Sequence, residues 1–113
     1  MFLDKIIYRS LLYDFYSGLL TDKQKLFYGM YHLEDLSLNE IAVQYEISPQ
    51  AVRDLVKRTE ALLEMYEEKL SLVTRYNFQK DKIFEAKQYV EDNLASETGV
   101  ELTRMLEEIL DLA

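Results

Sequence analysis

Four polar side chains within eight residues have the types and the spacing to read nucleic-acid bases. They are Gln50, Arg53, Asp54 and Lys57. In a helix with about 100° per residue they share one face, opposite Val52 and Val56. Glutamine pairs bidentately with adenine, arginine with guanine, and aspartate accepts from a cytosine amino group. The spacing therefore predicts a base-reading face, with Lys57 and Arg58 on flanking phosphates and Asp54 either reading cytosine or orienting Arg53.

The surrounding residues predict a helix-turn-helix that presents this face. Ser37, with Glu40 three residues later, forms a capping box that opens a helix over 38–45. Ser48 caps a second helix, in which Pro49 takes the first position, where a missing N–H costs little. The alternative is a plain helical corner with a solvated charged side. Ile41, Ala42 and Ile47 are expected to fill the angle between the two helices. Val52 and Val56 are expected to anchor the second helix below it.

Helical spacing of apolar residues predicts the remaining helices of the chain. Thr21 and Gln24 form another capping box, and Gly18 offers a stop for the first helix. "SETG" at 96–99 is the clearest remaining loop signal. The last helix is expected to bury Leu102, Leu106 and Ile109. The predicted helical segments are 3–17, 22–33, 38–45, about 49–74, an apolar stripe within 76–94, and 100–112.

The apolar residues of the fourth helix follow a heptad seam. They occupy positions 52, 56, 59 (a threonine), 63, 66, 70 and 73. One interpretation is that residues 76–94 fold back and cover this seam within one chain. The other is a homodimer, which would place two recognition helices side by side on a palindromic duplex and bury about 800 Å² per partner. We expect the homodimer.

Composition limits the class of protein. The chain has 113 residues, 49% of them hydrophobic, with three glycines and one proline, which favours a helical domain of ordinary size. There is no cysteine, so thiol chemistry and disulfides are excluded, as suits the cytoplasm. Charges interrupt the apolar N-terminus, so we expect neither a signal peptide nor a membrane anchor.

The net charge of −8 is unevenly distributed along the chain. Residues 1–36 carry four basic and five acidic side chains, and residues 37–58 carry three of each. Residues 59–113 carry six basic and thirteen acidic side chains. Because the acidic part repels phosphate, any nucleic-acid contact must be confined to a local basic face.

No pattern predicts an enzyme, a cofactor or a metal site. His32 is the only histidine and is expected to cap or pack a helix end. Glu64, Glu67 and Glu68 are expected to form a solvated face, since they lack the partners of a metal centre. Aromatic side chains within apolar stripes are expected in the core, namely Tyr8, Phe15, Phe27, Tyr31 and Tyr45.

Residues 19–70 resemble the small bacterial YlxM family, whose helix-turn-helix is similar to region four of bacterial sigma factors. "LTDKQ" resembles the start of the bracing helix, "SLNEIA" the first motif helix, and "ISPQAVRDLVKRTEALLE" the recognition helix with an acidic extension. The resemblance implies a cytoplasmic, non-enzymatic protein whose gene usually neighbours those for signal recognition particle components. By this resemblance the motif positions are Gln50, Arg53, Asp54, Lys57 and Arg58.

Together these patterns predict an all-α protein. Its helix-turn-helix is of the sigma region four-like, winged-helix-like DNA-binding class and lies within residues 1–70, followed by a C-terminal helical extension over 71–113 that packs on the long helix. We expect a regulatory protein that binds nucleic acid, and the resemblance to the YlxM family implies that it takes part in the signal recognition particle pathway. The alternative is an accessory module that contacts the particle's protein or RNA without binding DNA.

Overall fold

All regular secondary structure in the described residues is helical. The computed structural model describes residues 2–94 and 96–112, and no strand occurs in these two ranges. The prediction of an all-α fold is confirmed. The helices are α1 (Phe2–Tyr16), α2 (Asp22–His32), α3 (Leu38–Tyr45), α4 (Pro49–Leu70), α5 (Leu72–Asn93) and α6 (Glu97–Leu112), with a short 3₁₀ turn at Ser17–Leu19.

The chain divides into two compact units. Unit 1 is Met1–Val73 and holds α1 to α4, and unit 2 is Thr74–Ala113 and holds most of α5 with α6. The boundary falls just after the start of α5.

Helix α4 is the centre of unit 1 because it contributes to two buried clusters. The first cluster joins α4 to α1, to α2 and to the start of α5, and the second joins it to α2 and α3. This arrangement holds the helix-turn-helix against the N-terminal helices. The buried members of the first cluster are Leu12, Tyr16, Leu20, Tyr28, Leu63 and Val73, and those of the second are Phe27, Met30, Ile41, Ala42, Val52 and Val56.

The heptad seam is buried within unit 1 at positions 52, 56, 59 and 63. Val52 and Val56 lie in the cluster with α2 and α3, and Leu63 lies in the cluster with α1. Thr59 is fully buried, and its hydroxyl donates to the Leu55 carbonyl oxygen at 2.8 Å. The chain's own N-terminal helices pack on these seam positions, a contact that neither interpretation drawn from the sequence included. The homodimer stays a prediction that needs another surface.

Helix α4 ends earlier than predicted. It stops at Leu70, and Ser71 takes a left-handed conformation with φ 55° while its N–H donates to the Glu67 carbonyl oxygen at 2.8 Å. Glu67, which was expected to be solvated, is only 8% exposed. Its carboxylate oxygen Oε1 accepts from the Val73 N–H at 2.9 Å. A new helix therefore starts at Leu72 instead of α4 continuing to residue 74.

Two aromatic side chains expected in the core are partly solvent-exposed. Phe15 and Tyr45 are each 37% exposed, although the Tyr45 ring lies 5.1 Å from the ring of buried Phe27. Tyr8 and Tyr31 are half-buried.

In unit 2, α6 begins at Glu97, so the loop predicted over 96–99 is mostly helical. The Val100 N–H donates to the Ser96 carbonyl oxygen at 3.1 Å in the first turn. Gly99 is buried, and a Cβ there would lie 1.8 Å from the Leu94 carbonyl oxygen, so only glycine permits this close approach.

Helices α5 and α6 are joined by an ion pair between Lys87 Nζ and Glu107 Oε1 at 2.9 Å. Leu106 is half-buried, whereas Leu102 and Ile109 are 38% and 50% exposed. The prediction that α6 buries Leu102 and Ile109 was therefore wrong.

Candidate nucleic-acid interface

Helix α3 begins with the capping box that the sequence predicts. Ser37 Oγ accepts from the Glu40 N–H at 3.0 Å, and Glu40 Oε1 accepts from the Ser37 N–H at 3.3 Å. Both bonds satisfy N–H groups that a helix start leaves without partners. The buried residues of α3 are Ile41 and Ala42.

A three-residue turn, 46–48, joins α3 to α4. Glu46 takes a left-handed conformation with φ 55°, and the Ile47 N–H donates to the Ala42 carbonyl oxygen at 3.1 Å. Ser48 Oγ then accepts from the Ala51 N–H at 3.1 Å, and Pro49 occupies the first turn of α4. The turn thus has the length and the caps that a helix-turn-helix needs.

Helix α4 presents the predicted face to solvent. Beneath it, Val52 is fully buried and Val56 is 2% exposed, so the orientation of the helix is held by the core. All five side chains proposed to contact nucleic acid are exposed, namely Gln50, Arg53, Asp54, Lys57 and Arg58.

One interpretation of the sequence was that Asp54 orients Arg53, but the structure gives Asp54 other partners. Its carboxylate oxygen Oδ1 accepts from Gln50 Nε2 at 3.0 Å, and its backbone carbonyl oxygen accepts from Arg58 Nε at 3.3 Å. Arg53 and Lys57 form no ion pair with any residue that the structure describes. Asp54 therefore orients Gln50 and not Arg53.

Arg53 and Lys57 also line a cleft of about 700 Å³ in unit 1. Residues from α1, from the end of α2 and the loop after it, from the start of α3 and from α4 surround this cleft, and Arg9 of α1 lies among them. Sequence reasoning missed Arg9, because it lies more than forty positions before Arg53 and belongs to no local motif. Only tertiary packing brings the three cations to one cleft.

His32 packs at the end of α2, in agreement with the sequence analysis. Its side chain is 8% exposed, and Nε2 contacts Glu60 Oε1. Its ring centroid lies 4.6 Å from that of Tyr28 and 4.9 Å from that of Tyr31. It forms part of the wall of the cleft.

The electrostatic environment of Tyr28 reflects the same packing. Burial, followed by the negative charges of Glu60 and Glu64, raises the pKa of Tyr28 from 10.0 to about 12, and the positive charge of Arg9 opposes that rise.

Within the described residues, no group of three or more acidic or histidine side chains is placed to hold a metal ion. None of the described helices is long and apolar enough to cross a membrane.

The comparison with known proteins agrees with this geometry. Residues 3–103 match a family model described as "Putative helix-turn-helix protein, YlxM / p13 like". The chain is 43% identical to the UPF0122 protein YlxM of Bacillus subtilis over 96% of this chain and 99% of that protein. It is 44% identical to a UPF0122 protein of Bacillus pumilus over the same shares. A UPF0122 protein of Bacillus licheniformis is 54% identical over 76% of this chain and 79% of its own length.

Proposed function

The protein belongs to the YlxM / p13-like helix-turn-helix family, and on this premise we propose that it is a non-enzymatic regulatory protein of the cytoplasm that binds nucleic acid through α4. The observation that carries the proposal is the exposed face over buried Val52 and Val56. A second helix braced in this way can enter a major groove with its outer side chains toward the base edges.

The residues of this face have distinct roles. Arg53 and Lys57 form no ion pair with another residue in the described ranges, so we assign both to contacts with guanine or phosphate. Asp54 Oδ1 accepts a hydrogen bond from Gln50 Nε2 and so fixes the amide group that we assign to base reading. Arg58 holds a flanking phosphate. Because few cations take part, we expect a shallow dependence on salt, with a slope of about −3 for three neutralised phosphates.

A binding titration tests this function. Affinity for a mixed-sequence DNA duplex is measured by fluorescence anisotropy at two salt concentrations. We expect Arg53→Ala and Lys57→Ala each to weaken binding by about tenfold. Lys23→Ala is the matched control, because Lys23 is also an exposed cation of unit 1 but lies outside α4 and the cleft. Unchanged affinity in both α4 variants would exclude α4 as the DNA-binding element.

A second candidate is an accessory module of the signal recognition particle that contacts the particle's protein or RNA without binding DNA. Family resemblance connects the protein to this particle, and the excess of seven acidic side chains over residues 59–113 disfavours a long contact with a duplex. Titration of the purified particle protein and of its RNA, each alone, tests this candidate. If neither binds at low salt, it is rejected.

We also propose that the protein acts as a homodimer. Support comes from an apolar stripe of α6 formed by Leu102, Met105 and Ile109, which are 38%, 45% and 50% exposed. Residues at this spacing share one helix face, which a second copy would cover. This stripe replaces the α4 seam as the proposed interface.

A further inference from the structure

The cleft beside α4 has the size of a small-molecule site. Its volume of about 700 Å³ falls within the roughly 300–1,000 Å³ that is typical of ligand pockets in proteins. It lies entirely within unit 1. A rigid duplex that lies along α4 does not enter a cleft between packed helices, whereas a single unstacked nucleotide does.

One part of the lining is cationic. Arg9 comes from α1, and Arg53 and Lys57 come from successive turns of α4. None of the three is in an ion pair with a described residue. Unpaired arginine and lysine side chains from two elements that converge on one cleft suit a phosphate group.

The lining also holds two acidic residues, and neither forms an ion pair with these cations among the described residues. Glu60 is in contact with His32 Nε2, which occupies one of its carboxylate oxygens. Asp35 is exposed and stands in a left-handed conformation, φ 56°, in the loop after α2. A carboxylate at this position accepts hydrogen bonds from ribose hydroxyls or base amino groups.

The other part of the lining is apolar. Leu36 and Leu38 are half-buried, Tyr31 is half-buried beside His32, and Val56 is almost fully buried. A lining that combines an aromatic ring and aliphatic side chains with cations suits a nucleotide, because an unstacked base needs an apolar surface and its phosphate needs cations.

We propose that this cleft binds one nucleotide unit, with the phosphate against Arg9, Arg53 and Lys57 and the base against Tyr31, Leu36 and Leu38. The unit is either a free nucleoside monophosphate or an unstacked residue of a bound strand. The second source rests on the proposed nucleic-acid function, whereas the first is independent of it. Arg9 distinguishes the cleft site from the duplex-binding face, because Arg9 lies outside that face.

Calorimetric titration of the full chain with adenosine monophosphate, adenosine and inorganic phosphate tests the site. We expect the monophosphate to bind at least about tenfold more tightly than either of its parts, because only the monophosphate contacts both the cations and the apolar side chains. Arg9→Gln should weaken monophosphate binding by about tenfold. Lys5→Gln, an exposed cation one turn earlier in α1, should leave it unchanged. Circular dichroism checks that both variants are folded, and Lys57→Gln repeats the test from α4.

A competition experiment distinguishes the two sources. Displacement of bound monophosphate by a single-stranded oligonucleotide whose own binding is weakened by Arg9→Gln assigns the site to an unstacked residue of a strand; any other result of this competition assigns it to the free nucleotide. Phosphate that binds as tightly as the monophosphate, no monophosphate binding at millimolar concentration, or wild-type binding by folded Arg9→Gln would each overturn the proposal. Loss of duplex binding in Arg53→Ala without any monophosphate binding would overturn only the cleft site, not the duplex-binding function.

Discussion

The Tyr16 hydroxyl donates a hydrogen bond to Glu67 Oε1 at 2.6 Å, and both side chains are buried. The same hydroxyl accepts from the Leu72 N–H at 3.0 Å, and Glu67 Oε1 accepts from the Val73 N–H at 2.9 Å. The pair therefore satisfies backbone N–H groups at the start of α5, which have no backbone acceptor within the helix. It links α1 to the point where α4 ends.

Removal of the Tyr16 hydroxyl should destabilise unit 1. Tyr16→Phe leaves Glu67 and the Leu72 N–H each without one partner in a buried site, so we expect the free energy of unfolding to fall by about 1–3 kcal/mol. Urea denaturation followed by circular dichroism measures it. Tyr13→Phe is the matched control, since its hydroxyl makes only a long 3.4 Å bond to the Lys25 carbonyl oxygen. Equal losses in the two variants would contradict a special role for the Tyr16–Glu67 pair.

The capping box of α3 should contribute measurably to stability. Ser37→Ala removes the acceptor for the Glu40 N–H, and we expect a loss of about 1 kcal/mol in the free energy of unfolding. Ser37→Asp keeps an acceptor at the cap and should stay within a few tenths of a kcal/mol of the wild type. Thermal and urea unfolding of the two variants measure the difference. A Ser37→Asp variant as unstable as Ser37→Ala would show that the cap is not the cause.

Neutralisation of Asp54 should strengthen nucleic-acid binding. Asp54→Asn removes a negative charge from the proposed interface but keeps an oxygen to accept from Gln50 Nε2, so affinity should rise roughly threefold to tenfold at low salt. Fluorescence anisotropy with a duplex measures it. Glu68→Gln makes the same change of charge at an exposed position near the far end of α4 and should have a much smaller effect. Weaker binding by Asp54→Asn would instead indicate that the carboxylate itself contacts a base.

Stability should decrease at alkaline pH because of Tyr28. Its pKa is raised to about 12 in the folded protein, so the unfolded chain loses this proton first, near pH 10. The contribution of Tyr28 to folding is therefore complete below pH 10 and is lost as the pH rises toward 12. Urea unfolding from pH 8 to pH 11 measures the trend, and Tyr28→Phe should flatten it. An identical slope in Tyr28→Phe would assign the alkaline loss to other groups.

The proposed homodimer predicts a mass of twice the 13.4 kDa of one chain in light scattering coupled to gel filtration. Leu102→Glu combined with Ile109→Glu should give a monomer, because two charges would be buried in the α6 interface. Val43→Glu is the matched control, since Val43 of α3 is 80% exposed. A monomeric wild type at micromolar concentration would reject the homodimer.

The helix starts in unit 1 were predictable because their signals are local. The capping boxes at Thr21 and Ser37 form as the sequence implies, and α3 spans the predicted residues. The end of α4 was not predictable in the same way, because it depends on a tyrosine fifty-one positions away from Glu67. The start of α6 was misread because Gly99 was interpreted as a loop signal, whereas it serves a close approach to Leu94.

The sequence by itself determined the helical class, the family resemblance, the helix-turn-helix and the polar face of α4, since these depend on caps and spacings within a few residues of one another. Only the tertiary structure decided that α1 to α3 cover seam positions 52 to 63 of α4, that Glu67 is buried, and that Arg9 joins Arg53 and Lys57 at one cleft. These features depend on which distant side chains compete for the same buried surface. Periodicity within one segment carries no information about that competition.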